Sequence, residues 1–242
     1  MAQWFEDVKA EFILNFINDD RWKLLVEGLF VTLKVTFFAV ILGIIIGVVI
    51  AIIRSTYDKN VSTMPKGFKR TVLGIINFLA NVYLTIIRGT PVVVQLMIMY
   101  YVIFATSTNK VMIAVLAFGI NSGAYVAEII RSGIMSIDNG QFEAGRSLGF
   151  NYVQTMRYII LPQAFKNVLP ALGNEFIVLI KETSVSGYVA LSDLTKAGDI
   201  IRGRTYSALM PLLAVALIYL ILVMVISKFI AIGERRLRQS ER

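Results

Sequence analysis

The chain has 242 residues, of which 57% are hydrophobic and 17% charged, with a net charge of +8 and neither cysteine nor histidine. Apolar residues gathered in long runs exceed what a soluble core requires and predict a polytopic membrane protein; the missing residue types exclude disulfide stapling, thiol redox chemistry and imidazole-based catalysis or metal binding. The positive charge clusters beside the apolar runs, where it sets topology, so it is not read as a phosphate-backbone footprint.

Residues 1–27 open with Glu6, Asp7 and Glu11 where a signal peptide would be basic, so no removable leader is expected. Trp4, Phe5, Val8, Phe12, Phe16 and Ile17 recur at helical spacing. They predict an external amphipathic helix on the membrane surface, with a disordered tail as the other reading. Residues 28–53 are the first run long enough to cross a bilayer, which takes about 20 apolar residues. Gly43 and Gly47 within it read as a packing face. A basic loop follows, with Arg54, Lys59, Lys66, Lys69 and Arg70. Residues 72–105 hold two apolar halves split by Arg88-Gly89-Thr90-Pro91. Basic residues around 54–70 and 131–166 must share one side, so this region counts as one crossing. Its first half, with Ile75, Phe78, Leu79, Val82 and Ile86 on one face, reads as a partly inserted lead-in, and Pro91 opens the span. Residues 111–130, roughly 165–185, and 208–232 complete five spans around a charged external segment at 186–205. The tail at 233–242 carries Arg235, Arg236, Arg238 and Arg242. The N-terminus is then outside and the C-terminus cytoplasmic. Residues 28–232 form a single transmembrane domain.

A soluble-looking helix-turn-helix loop at about 138–162 interrupts the spans. Gly149 marks its turn, where positive φ is tolerated. Glu143 sits on the first helix, beside Ala144 and Gly145, whose small size lets a partner's surface approach the backbone; Phe142, Leu148 and Phe150 offer apolar contact. The spacing Glu143-Ala144-Gly145, three residues, Gly149, nine residues, Ile159-x-Leu161-Pro162 resembles the EAA loop of permease subunits of ATP-binding-cassette (ABC) importers, with Gly145 in place of the usual second alanine.

The resemblance extends along nearly the full chain to the polar amino-acid branch of these importers, the histidine/glutamine/arginine permease family. It is carried by Thr32-Leu33-Lys34, the phrase from Ile87 to Gln95, Ala124 through Ile134, Leu161-Pro162-Gln163-Ala164, Pro170 through Phe176, and Leu179 through Ser184. Val185 to Ala190 departs from the pattern with Gly187 and Tyr188. The resemblance implies a type I ABC importer permease fold, all-α, in the bacterial cytoplasmic (inner) membrane. It implies uptake of histidine, arginine, lysine, glutamine, glutamate or cystine by alternating access. The partners would be a second permease subunit, identical or related, two ATPase subunits docked through Glu143, Ala144, Gly145, Leu148 and Gly149, and an extracytoplasmic binding protein. The chain has no Gly-x4-Gly-Lys-Ser/Thr phosphate loop, so it would be no enzyme, and ATP and Mg would be bound by the partner ATPase.

Polar residues at membrane depth are the candidate substrate ligands. Glu175 and Glu182 lie about two turns apart on one helix face, suited to an ammonium or a cationic side chain. Lys181 could attract a carboxylate, snorkel outward, or pair with a glutamate. Asn121, Gln95 and Asn174 could bind substrate or hold helices together, and Arg88 reads as an interfacial anchor. A passive channel and an intramembrane enzyme are the competing classes. Nothing resembles a selectivity filter, and no paired acids stand where they would activate water.

Overall fold

A computed structural model describes residues 1–61 and 64–239, and no strand occurs among them. The described elements are α1 (Ala2–Phe12), α2 (Trp22–Asn60), α3 (Phe68–Gly89), α4 (Val92–Ile98), α5 (Lys110–Met135), α6 (Asn139–Ser147), α7 (Tyr152–Thr155), α8 (Leu161–Glu182), α9 (Leu194–Thr205) and α10 (Leu209–Gln239). Wider π-helical turns extend α1, α4 and α7 over Ile13–Ile17, Met99–Ile103 and Met156–Ile160, and a 3-10 stretch, Thr183–Val189, follows α8. Among the described residues the protein is all-α, as the resemblance implies. Of the arginine-rich tail, Arg242 lies outside the described residues, and α10 continues as far as Gln239.

By length and apolar character, four described helices could cross a membrane: Trp22–Asn60, Phe68–Gly89, Lys110–Met135 and Leu209–Arg236. Helix α8 carries Lys166, Glu175, Lys181 and Glu182 and is not among them. The stretch that Pro91 was expected to open, Val92–Ile103, is also too short; length favours α3, which the sequence reading treats as a lead-in. The first membrane helix likewise starts at Trp22, inside the segment assigned to the surface, because Leu25 is buried while Lys23 and Glu27 stay exposed.

The chain forms two compact units, Met1–Ala39 with Val92–Phe118 and Ile177–Ser227, and Val40–Pro91 with Gly119–Phe176 and Lys228–Arg242. The chain therefore passes between units after Ala39, Pro91, Phe118, Phe176 and Ser227. Four of these passages fall within α2, α5, α8 and α10, and the other at the break between α3 and α4.

In the first unit, Phe16, Leu25, Leu194, Ala197, Ile201 and Val215 pack into one apolar cluster. Polar ties fix its register. Thr205 Oγ1 donates to Asn15 Oδ1 at 2.8 Å, and Leu194 N donates to Thr32 Oγ1 at 3.1 Å. The charged segment at 186–205 contains the three-turn α9. Asp193 caps that helix: its carboxylate accepts from Lys196 N at 3.0 Å and Thr195 N at 3.4 Å. Asp193 is 1% exposed, and burial pushes its carboxyl up from 3.8 to about 6. The folded state therefore binds this proton more tightly than the unfolded chain. Its stability contribution is present below pH 3.8 and lost as pH rises through about 6, a difference on the order of 3 kcal/mol. Asp193→Asn keeps the cap without the charge, so its melting temperature should exceed the parent's by an amount that grows from pH 4 to pH 7. Thermal melts of the two purified proteins across that range check this; a gap that is flat with pH would contradict it.

In the second unit, α2 and α5 approach closely. A Cβ added at Gly47 would come within 2.4 Å of Val126 Cγ1, and one at Gly43 within 3.0 Å of Ser122 Oγ, which makes the Gly43/Gly47 stripe the packing face its spacing suggests. Tyr83 Oη donates to Ile120 O at 2.6 Å, and Arg54 donates to the buried Asn77 at 3.3 Å. These bonds turn the polar side of α3 inward and leave Ile75, Phe78, Leu79 and Ile86 more than half exposed, as lipid or an apolar partner would require.

Candidate functional site

The loop between α5 and α8 is built from its caps outward. Asp138 is the N-cap of α6, accepting from Gly140 N at 2.6 Å, and Asn151 and Gln154 form a reciprocal capping box on α7. Gly149 joins the two with φ +79°, the conformation its place in the turn calls for. Because α6 begins at Asn139, Glu143 stands in its second turn. The loop does not end at Leu161 and Pro162: the π-helical turn Met156–Ile160 runs straight into α8 through Leu161, which keeps helical φ −61° and ψ −40°, so Pro162 lies within a continuous helical run directly after the widened turn.

Side chains divide sharply between inside and outside. Glu143, Ala144, Leu148 and Gly149 are exposed, with Leu148 71% so. Phe142, expected to face a partner, instead packs with Ile134, Ile137, Ile160 and Ala164. Gly145 is also buried. A Cβ there would stand 2.7 Å from both Cγ2 and Oγ1 of Thr155, so its small size makes room for Thr155 and not for another protein. Gly145→Ala should destabilise the loop by about 1–3 kcal/mol, and Thr155→Ala should recover most of that in the double variant. The Thr155 hydroxyl has no hydrogen-bond partner among the described residues, so its removal breaks no bond. Thermal melts of the four proteins decide it, and additive losses would refute the clash.

Lys59 at the end of α2 holds the loop from the side. Its Nζ donates to Asn139 Oδ1 at 2.7 Å and stands 4.5 Å from the Phe142 ring centre. Lys59, Asn139, Glu143, Arg146 and Tyr152 line a cavity of about 300 Å³. The exposed face thus offers one carboxylate, two cations, a large apolar side chain and a strip of bare helix backbone at Ala144. Such a surface suits a protein partner. Lys59 was missed as part of this site because its bond spans 80 residues of sequence; the Asp138 cap was within reach, since Asp before a polar helical turn is a start signal.

The candidate substrate residues fall in both units. Asn121, Asn174 and Glu175 belong to the second, and Gln95, Lys181 and Glu182 to the first. Within the second unit, Ser122 Oγ donates to Glu175 Oε1 at 2.9 Å, and Asn121, Ser122 and Glu175 are all buried. Asn174 is exposed, as is Lys181, while Gln95 and Glu182 are half-buried. Glu175 is therefore a buried carboxylate with an internal donor. In the departing stretch after α8, Ala190 takes φ +53°, and Tyr188 O and Ala190 O accept from Tyr101 Oη and Lys110 Nζ at 3.1 Å each. Among the described residues no group of three or more Asp or Glu could hold a metal ion.

Comparison with known proteins places these features in context. Residues 67–239 match the family described as binding-protein-dependent transport system inner membrane component. A glutamine transport system permease protein, GlnP, of Escherichia coli K12 is 42% identical over 178 residues, covering 71% of this chain and 81% of the relative. A Rickettsia typhi protein also named as a glutamine transport permease is 40% identical over 216 residues, covering 88% and 92%. A crystal structure of an amino acid ABC transporter with histidines superimposes with a TM-score of 0.77 at 42% identity, covering 88% of this chain and 94% of that one.

Proposed function

The chain belongs to the family of binding-protein-dependent transport system inner membrane components, as the permease subunit of an amino-acid ABC importer, and on that premise we propose that it moves a polar amino acid inward by alternating access driven by a separate ATPase. The observation that carries this reading is the α6–Gly149–α7 loop, with Glu143, Ala144 and Leu148 exposed on one capped element. A passive pore has no use for such a docking surface. Glutamine is the first substrate to test, since the E. coli and R. typhi relatives are named for it.

Closure of an ATPase dimer would draw two such loops together, and the spans would respond by changing the side to which the substrate cavity opens. Gly145 contributes by letting α6 seat on Thr155. Glu175, Glu182, Asn121, Gln95, Asn174 and Lys181 are the substrate-facing candidates, with Glu175 foremost because it is a buried carboxylate. ATP and Mg belong to the ATPase. A second permease subunit, the same chain or a related one, and an extracytoplasmic binding protein complete the assembly in a bacterial cytoplasmic membrane.

Five spans with the N-terminus outside are supported by the basic residues clustered at 54–70, 131–166 and 235–242, which charge parity assigns to the cytoplasmic side. The test is assembly. The permease should co-purify with its ATPase, and liganded binding protein should stimulate ATP hydrolysis by that complex in proteoliposomes. Lack of association, or hydrolysis indifferent to the binding protein, would refute the coupled-importer reading.

A further inference from the structure

Four charged side chains gather in the second unit where α2, α3 and α5 meet. Arg131 Nη1 lies 3.0 Å from Asp58 Oδ2, Arg131 Nη2 lies 3.7 Å from Glu128 Oε2, and Arg88 Nη1 lies 3.8 Å from Glu128 Oε1. The Arg88 guanidinium also stands 5.6 Å from the centre of the Tyr125 ring. Two guanidiniums and two carboxylates leave the set electrically balanced, yet its two ends differ. Arg131 and Asp58 make a charge-assisted hydrogen bond with both side chains under a third exposed. Arg88 and Glu128 touch at the long end of ion-pair range, and the Arg88 side chain is 45% exposed. Water reaches that pair, so its two states lie close in free energy.

Position gives the loose end its meaning. Arg88 is in the last turn of α3, and directly beyond it the helix stops at Gly89, with Thr90 extended at φ −122° and ψ 145°. A weak tether beside a break in the backbone biases the angle of α3 against α5 without fixing it. The same carboxylate is steadied from behind by Arg131, which Asp58 anchors to α2. We infer that the Arg88–Glu128 pair is a latch, closed in the conformation seen here and opened once per transport cycle, with Gly89 to Pro91 as its hinge and Arg131–Asp58 as its fixed base. Arg88 and Glu128 are then positioning residues, and the inference rests on the importer reading. A contact present in one state only shifts the balance between states by its own free energy. Losing it leaves α3 free to take the open position without the signal that normally releases it.

The cysteine-free sequence makes the test direct. In proteoliposomes holding the permease, its ATPase and its binding protein, Arg88→Cys/Glu128→Cys and Asp58→Cys/Arg131→Cys are each joined with a short, reducible bis-thiosulfonate linker. Linking 88 to 128 should cut ATP-driven glutamine uptake by about tenfold or more, and reduction should restore it. Linking 58 to 131 should leave uptake within about twofold of the same protein before linking. Unlinked, Arg88→Gln should raise ATP hydrolysis without binding protein several-fold, and Arg88→Lys should return it towards the parent value. Uptake that survives the 88–128 link, equal loss with both links, or unchanged hydrolysis in Arg88→Gln overturns the latch. No ATP-driven uptake by the unmodified chain overturns the importer reading beneath it, whereas uptake by that chain together with any of the other three results overturns the latch alone.

Discussion

Replacing Glu143 with alanine is expected to lower ATP-driven uptake by roughly thirtyfold while the permease stays folded. The carboxylate is exposed on α6. The internal bond at this residue, Ser147 Oγ donating to Glu143 O at 3.0 Å, uses the backbone carbonyl and survives truncation of the side chain. Stability should therefore change by under about 0.5 kcal/mol. On the importer reading proposed above, what is lost is a contact to the ATPase. A charge-assisted hydrogen bond across a protein interface is worth about 2 kcal/mol, which is about thirtyfold in an equilibrium constant. Glu143→Gln keeps the shape and loses the charge, so its uptake should fall between the two. Uptake, ATPase affinity and melting temperature measured together separate the effects. Uptake within about twofold of the parent would show that Glu143 is only a solvated side chain.

Glu175→Ala should abolish transport and also lower stability, which by itself would not tell a substrate ligand from a structural group. The side chain is 9% exposed and accepts the Ser122 hydroxyl at 2.9 Å; its removal strands that hydroxyl and opens a void, together costing about 2–4 kcal/mol. Glu175→Gln is the informative change. The amide keeps the volume and can still accept from Ser122, so the fold should remain near the parent's stability. If the carboxylate meets the ammonium of an amino acid in the pathway, loss of its charge should raise the substrate concentration for half-maximal uptake by about tenfold. Ser122→Ala, which spares the carboxylate, should have a much smaller effect on transport. Normal uptake by a stable Glu175→Gln protein would reduce Glu175 to a helix-packing role.

Features that depend on local backbone chemistry were legible in the sequence. Gly149 was readable as a left-handed turn because few other residues adopt its φ of +79° without cost, and Gly43 with Gly47 as a packing face because a helix stripe without side chains has little other use. Features that depend on residues distant in sequence were not. Gly145 looks like a bare surface until Thr155 is seen against it, and Phe142 like a partner contact until Lys59 and the core around Ile160 are found covering it. Around Pro91, charge parity counts crossings but does not give helix lengths, and α3 is the longer of the two helices that meet there. Glu175 stands out in the sequence as a carboxylate in a mostly apolar stretch, whereas its bond to Ser122 links positions 53 residues apart.

The central claim is that this permease converts a partner's ATP hydrolysis into uphill movement of a polar amino acid. The most direct test is accumulation of labelled glutamine in proteoliposomes that hold the permease with its ATPase and binding protein, measured with ATP and without. Internal glutamine rising above the external concentration only when ATP is supplied is the predicted result. Equal flux with and without ATP, stopping once the two concentrations match, would contradict it and make the chain a passive channel.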